Sequence, residues 1–178
     1  MRLSDIKKFT SVGDYQVDIP LSFLEKNIVW FTEDYNLDLN PDFQRGHVWT
    51  QEQQIAWLEY FFRGGVSSKV IYFNSPDFSS TVSPSRDLTG MVIVDGLQRL
   101  TALRAFLRGD IPIFGRYLNE WEGTDRSLMS YTIKFNVNNL QTREELLTWY
   151  LEMNTGGTPH SDEEIERVKG LLAECKKS

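Results

Sequence analysis

The feature that most constrains the fold is the stretch MVIVDGLQRLTALRAFLRG, residues 91–109. Its continuous run of branched apolar residues, 92–94, predicts a strand that is covered on both faces. The next two residues, Asp95 and Gly96, predict a tight turn, and a helix begins at once. The leucines of that helix fall on one stripe, which predicts its core side: Leu100, Leu103 and Leu107.

The rest of the chain mixes helical and strand patterns without a regular strand–helix–strand repeat. This pattern predicts an α+β fold, with residues 1–178 forming one domain. Segment 74–90 is rich in Ser, Thr, Pro and Asp and lacks periodicity, so it is predicted to be a flexible loop. Segment 110–129 is irregular. The other patterns predict helices over 19–32, 50–65, 142–154 and 161–177, and strands over 35–43, 68–73 and 131–137.

Composition and charge narrow the function classes. The single cysteine, Cys175, excludes a disulfide framework within the chain and fits a reducing compartment. The first residues lack the apolar core of a signal peptide, and no apolar run is long enough to span a membrane, so we expect a cytoplasmic protein. The net charge of −6 argues against a protein that coats DNA. Residues 61–120, however, carry 7 basic and 5 acidic side chains, whereas both flanks are acidic. This distribution favours a local anion site in the middle of the chain.

Two interpretations of the strand–turn–helix stretch remain open from its residues alone. The start of the helix, at Gly96–Arg99, leaves backbone N–H groups without partners and has an arginine beside them, an arrangement that suits phosphate. Alternatively, Asp95 caps the helix and satisfies those N–H groups itself. A carboxylate beside a phosphate also repels it, unless a cation such as Mg²⁺ bridges the two.

Two further stretches carry polar groups in predicted loops. In NPDFQRGHVWT (40–50), Arg45 can bind a phosphate through two hydrogen bonds and His47 can transfer a proton near neutral pH. The alternative is that Phe43 and Trp49 only anchor this loop. In NTGGTPHSDEE (154–164), two glycines precede a predicted helix, so the loop either cradles an anion or simply joins two helices.

Taken together and in this order, three segments resemble the N-terminal domain of the GmrSD-type restriction endonucleases, within the ParB/sulfiredoxin-like fold group. They are PDFQRGHVW (41–49), DGLQRLTAL (95–103) and NTGGTPHS (154–161). The resemblance runs from about residue 20 to the end. It implies a small mixed sheet flanked by helices, with a helical C-terminal part. It also implies a nucleotide-binding domain in which hydrolysis of a nucleoside triphosphate is tied to DNA cleavage in phage defence.

The resemblance also implies a set of site residues. Asp95, Gln98 and Arg99 are the candidate catalytic residues, with Asp95 holding Mg²⁺ or a water and Gln98 orienting the attacking water. The candidate nucleotide-binding residues come from all three segments: Gln44, Arg45, Gly96, Arg99, Asn154, Thr155, Gly156 and Gly157.

This chain departs from the family pattern in two places and leaves two other functions open. Leu97 replaces the first glutamine of the common DGQQR pattern, which removes a polar group from the site, and His160 replaces a leucine. With only His47 and His160, we expect no His-Asn-His nuclease centre here, so cleavage would need a restriction-system partner.

The main alternative function is a non-enzymatic DNA- or protein-binding module, such as a phage or prophage modulator of a restriction system. The weakest is a ParB-type nuclease using Asp95, Glu52 and Glu59 as metal ligands.

Overall fold

The computed structural model describes residues 2, 15–44, 46–65, 67, 69–78, 87–155 and 162–176. Within these ranges lie four strands and six α-helices. In chain order they are β1 (Tyr15–Pro20), α1 (Leu24–Tyr35), α2 (Gln51–Phe62), β2 (Val70–Asn74), β3 (Val92–Asp95), α3 (Leu97–Arg108), α4 (Thr124–Ser130), β4 (Thr132–Asn138), α5 (Arg143–Thr155) and α6 (Asp162–Cys175). The predicted α+β class is confirmed, and α5 and α6 form the predicted helical C-terminal part.

The four strands form one mixed sheet in the order β1-β4-β2-β3. β1 pairs with β4 and β3 pairs with β2 in antiparallel fashion, whereas β2 and β4 are parallel. Beyond β3, the backbone at Asp38 forms a parallel bridge with Val92. The segment predicted as a strand over 35–43 is therefore largely irregular and contributes this one bridge, because α1 continues to Tyr35.

Side chains from opposite faces of the sheet feed two hydrophobic clusters, because successive residues of a strand point to opposite sides. The larger cluster joins Ile71, Phe73 and Ile93 of the sheet to apolar residues of α1, α2 and α3. The smaller cluster joins Val94 to residues of α5 and α6, including Leu147. Helices thus cover both faces, and β3 is apolar on each side, as its sequence predicts.

Local signals explain where several elements begin. Thr50 and Gln53 form the predicted capping box of α2, each side chain bonding the other residue's backbone. The helix predicted from residue 19 begins later, since Tyr15–Pro20 is a strand and a short 3₁₀ turn precedes Leu24.

The predicted loop 74–90 differs in part from the structure. Asn74 ends β2 and is buried, and Phe78 packs against the larger cluster. Residues 79–86 lie outside the described ranges, so the flexibility of this segment stays a prediction, as does the single-domain boundary. No helix in the described part of the chain is long and apolar enough to cross a membrane.

Candidate functional site

Gly96 forms the junction between β3 and α3. It is the N-cap residue of α3, has a φ of 101°, and provides no capping side chain. A Cβ atom at this position would lie 3.2 Å from the Cα atom of Ile71 and 3.1 Å from its Cγ1 atom. Glycine is therefore required here both by backbone conformation and by space. The alternative in which Asp95 caps the helix is wrong, because Asp95 is the last residue of β3.

The carboxylate of Asp95 instead faces Arg99, one helical turn away. Arg99 donates a hydrogen bond from a terminal guanidinium nitrogen to Oδ2 of Asp95. The Arg99 side chain is only 12% exposed, whereas that of Asp95 is 36% exposed. The charges of these two candidate catalytic residues therefore neutralise each other, and the Asp95 carboxylate is the more accessible of the two side chains.

Gln98 joins the start of α3 to the early segment. Its Oε1 atom accepts hydrogen bonds from the backbone N–H groups of Val48 at 3.0 Å and Trp49 at 3.1 Å. Its Nε2 atom donates to the carbonyl oxygen of Gly46 at 2.7 Å. Both lone pairs of the amide oxygen are thus in use. This geometry gives Gln98 a positioning role, and its contact with an attacking water stays a prediction.

Gln44 makes the reciprocal connection. Its Nε2 atom donates to the carbonyl oxygens of Ile93 at 3.1 Å and Val94 at 2.8 Å. The Gln44 amide therefore bonds the backbone near the end of β3, beyond the bridge that Asp38 makes at Val92. Each glutamine of the two Gln-Arg pairs binds the backbone of the other segment. We call this arrangement the glutamine clasp, meaning Gln44 and Gln98 with the backbone groups that they bond.

Two arginines from the C-terminal helices hold the other end of the early segment. Arg167 donates to the carbonyl oxygens of Asp42 and Phe43, the second at 2.8 Å. Arg143 donates to the Asp42 carboxylate at 2.6 Å, and this hydrogen bond raises the pKa of Arg143. Phe43 is buried against Tyr150, with ring centroids 5.2 Å apart. Sequence reasoning missed both arginines, because each looks like an ordinary charge on an amphipathic helix.

The late segment is only partly within the described residues. Asn154 lies near the end of α5, is 9% exposed, and donates from Nδ2 to the carbonyl oxygen of Tyr150 at 2.6 Å. Thr155 ends α5, and its side chain lies outside the described part, as do Gly156 and Gly157. Among the described residues, no hydrogen bond joins Asn154 to Asp95 or Arg99. Arg45 also lies outside the described residues, so the place of its guanidinium stays a prediction.

Leu97 does not leave a gap in an open site. It is 8% exposed and belongs to the larger hydrophobic cluster. In this chain the side chain at position 97 therefore packs in the core, and the effect of replacing the family's glutamine stays a prediction.

Other charges in the basic middle of the chain have structural partners. Arg104 forms two hydrogen bonds with Glu25, at 2.7 and 3.0 Å, and Arg108 pairs with Asp110 at 3.1 Å. The local positive charge is thus smaller than the composition indicates. His47 is exposed, with its Nε2 atom 3.1 Å from the amide nitrogen of Gln54.

The three carboxylates of the nuclease alternative have separate structural roles. Glu52 lies in the first turn of α2, where hydrogen bonds from Thr50 and from its own backbone lower its pKa. Glu59 accepts a hydrogen bond from the backbone N–H of Phe114 at 2.8 Å, and Asp95 pairs with Arg99. No group of three or more potential metal ligands forms among the described residues.

The fold and this junction define an α+β domain in which two separated Gln-Arg segments interlock beside a glycine-capped helix start. A family model described as the GmrSD restriction endonuclease, N-terminal domain, matches residues 29–134. This match covers more than half of the chain and includes the early and central segments. The chain belongs to this family, and membership links it to DNA restriction and phage defence. No curated protein and no solved structure shows a significant match.

Proposed function

We propose that this domain binds a nucleoside triphosphate at the junction of β3 and α3, and that the bound nucleotide regulates a DNA-restriction partner. The observation that carries the proposal is the glutamine clasp, which joins the Gln44 side of the early segment to the start of α3. The two family segments that carry arginines at positions 45 and 99 are thereby held at one place in the fold.

The start of α3 supports binding of an anion. α3 is 12 residues long, and no side chain caps its first turn. The unpaired N–H groups and the positive end of the helix dipole favour negative charge there. The absence of a Cβ atom at Gly96 lets the start of α3 lie close against Ile71 and brings the Arg99 guanidinium beside the first turn.

The pair formed by Asp95 and Arg99 determines how phosphate would enter. A phosphate oxygen must compete with the carboxylate for the guanidinium, and it would be repelled by that same carboxylate. Mg²⁺, when bound, would offset this repulsion, and it commonly uses one or two carboxylates together with phosphate oxygens. The single exposed carboxylate of Asp95 fits that ligand set.

The late segment and Arg45 complete the proposed site. Asn154, Thr155, Gly156 and Gly157 would contribute backbone and side-chain polar groups to the phosphates, as the family resemblance implies. Arg167, which lies on the helix that follows this segment, bonds the backbone beside Gln44. Movement of the late segment on binding would therefore reach the early segment directly.

Hydrolysis of the bound nucleotide is the less supported part of this proposal. The amide oxygen of Gln98 is saturated by two backbone N–H groups, and Leu97 is packed in the core. This favours a second candidate function, a regulatory module that binds its ligand or a partner protein without turnover.

Calorimetry against the four ribonucleoside triphosphates, with and without Mg²⁺, tests binding, and phosphate release from any nucleotide that binds tests hydrolysis. We expect Arg99→Ala and Asp95→Ala to weaken Mg²⁺–triphosphate binding roughly tenfold or more, because each removes a charged contact. Arg108→Ala is the matched control, since this arginine lies on the same helix and is half exposed.

Binding by Arg99→Ala and Asp95→Ala that equals wild-type binding would show that the nucleotide, if bound at all, lies elsewhere. Binding that is lost equally in Arg108→Ala would point to general loss of fold or charge. Retention on DNA that depends on salt and not on nucleotide would support the module without nucleotide.

A further inference from the structure

A second cavity lies away from the glutamine clasp, at the other end of α3. Its volume is about 310 Å³, and it lies between the ends of α2 and α3 and the segment that runs from Ile113 to Tyr131. Phe106 contributes to its lining and lies seven residues after Arg99, which is about 10 Å along a helix. The cavity is therefore separate from the proposed nucleotide site.

Aromatic rings line this cavity on several sides. They belong to Phe62, Phe106, Phe114, Trp121 and Tyr131. Phe114 and Trp121 remain 38% and 36% exposed, so the cavity is open to solvent beside them. A hydrogen bond of 3.3 Å from the indole Nε1 atom to the carbonyl oxygen of Arg116 helps to fix the Trp121 ring.

The rings meet at steep angles rather than in parallel. The interplanar angle is 73° between Phe114 and Trp121, 69° between Phe62 and Phe106, and 67° between Phe62 and Tyr131. A flat heterocycle would be stacked best between two parallel rings, and none of these pairs provides them. Aromatic rings that line a cavity on several sides suit a compact cation, because the face of each ring is electron-rich.

The charged groups at this cavity are mixed, and one carboxylate lines it. That carboxylate belongs to Glu122, which is exposed. Phe114 lies between opposite charges, because Arg63 is 5.0 Å from its ring centroid and Glu59 accepts a hydrogen bond from its backbone N–H. Because Arg63 already engages the Phe114 ring, a bound cation would rely on the other aromatic rings that line the cavity.

The serine hydroxyls at the cavity already donate hydrogen bonds to nearby carbonyl oxygens. Ser127 donates to the carbonyl oxygen of Gly123, and Ser130 donates to that of Ser127. Glu122 is therefore the lining side chain best suited to balance the charge of a ligand.

We propose that this cavity binds a small organic cation, of the quaternary or methylated ammonium class, against its aromatic rings and the Glu122 carboxylate. A trimethylammonium group has the compact shape and diffuse charge that such rings recognise. A volume of about 310 Å³ is at the lower end of small-molecule sites and admits such a head group with a short chain.

Calorimetry with choline and with its neutral isostere 3,3-dimethylbutan-1-ol tests this proposal. We expect choline to bind saturably, and roughly tenfold more tightly than the alcohol, because the two differ in charge and hardly in shape. Trp121→Leu should abolish choline binding, and Glu122→Gln should weaken it. Trp30→Leu is the matched control, since Trp30 is 38% exposed and lies on α1 outside this lining.

Equal binding of choline and the alcohol would overturn the proposal and show a merely apolar cavity. Binding of free cytosine or adenine, with no binding of choline, would overturn it in favour of a site for planar bases. Absence of choline binding in a folded wild-type protein would also overturn it. Thermal unfolding of each variant shows whether lost binding reflects lost fold, and Glu122→Gln supplies a test that leaves the aromatic rings intact.

Discussion

Replacing Gln98 with methionine is the most direct test of the glutamine clasp. Methionine keeps the length and approximate volume of glutamine but cannot reproduce the three hydrogen bonds to Gly46, Val48 and Trp49. The early segment would lose its link to α3 while retaining the one that Gln44 makes to β3. The substitution therefore isolates one half of the clasp.

The expected magnitude follows from these three bonds. A typical hydrogen bond contributes about 0.5–1.5 kcal/mol net to stability. The bond to Val48 is exposed, so water can replace it, whereas those to Trp49 and Gly46 are partly buried. We therefore expect Gln98→Met to lower the free energy of unfolding by about 2 kcal/mol. For a domain of this size, that corresponds to a fall in Tm of about 4–8 °C.

Urea denaturation of Gln98→Met and of a matched control, Gln51→Met, measures this effect. Gln51 is exposed on α2, so its substitution should change the free energy of unfolding by less than about 0.5 kcal/mol. Equal stability of the two variants would refute the positioning role. If Gln98→Met kept wild-type stability and nucleotide affinity but lost phosphate release, the amide would act on the reaction, as the sequence suggested.

Three further predictions concern the surroundings of the site. Gly96→Ala should destabilise the domain by about 1–3 kcal/mol, because alanine would have to adopt a left-handed backbone conformation with its Cβ against the neighbouring strand. Gly170→Ala, whose Cβ would lie in open space on α6, should instead stabilise the domain by about 0.5–1 kcal/mol. Thermal unfolding of the two variants compares these effects. Arg167→Ala should lower the free energy of unfolding by about 1–2 kcal/mol in urea denaturation, because it removes the hydrogen bonds to the carbonyl oxygens of Asp42 and Phe43. It should also weaken triphosphate binding. An unchanged affinity would show that α6 does not influence the site. Because the pKa of Glu52 is lowered in the folded state, its contribution to stability is present above its ordinary pKa and is lost as pH falls through the folded pKa. In urea denaturation, wild type should therefore be more stable than Glu52→Gln at neutral pH, and this difference should be absent in strong acid. A difference that persists in acid would contradict this reasoning.

Short-range patterns identified the elements whose signals lie within one segment. The strand and helix on either side of Gly96, and the capping box at Thr50, follow from residues that touch close neighbours in the chain. β1 escaped prediction because its six residues end in Pro20 and lead directly into a helical pattern. Its register is set by β4, more than a hundred residues later, and no local signal reports that pairing.

In the candidate site, too, the sequence reveals features within one segment but not contacts between distant segments. The sequence indicates that the early and central segments both contain a Gln-Arg pair, and the family resemblance placed all four residues in the candidate site. Only the folded structure shows that both glutamines bond backbone groups across the junction and that Leu97 is a core residue. Polar residues in a shared motif can therefore hold two segments of a chain together. Because both glutamines of the clasp bond the backbone, the charged pair, Asp95 and Arg99, contains the better candidates for contact with a ligand. A ligand that engaged Arg99 would meet the Asp95 carboxylate beside it, and under the proposed function Mg²⁺ would offset that negative charge.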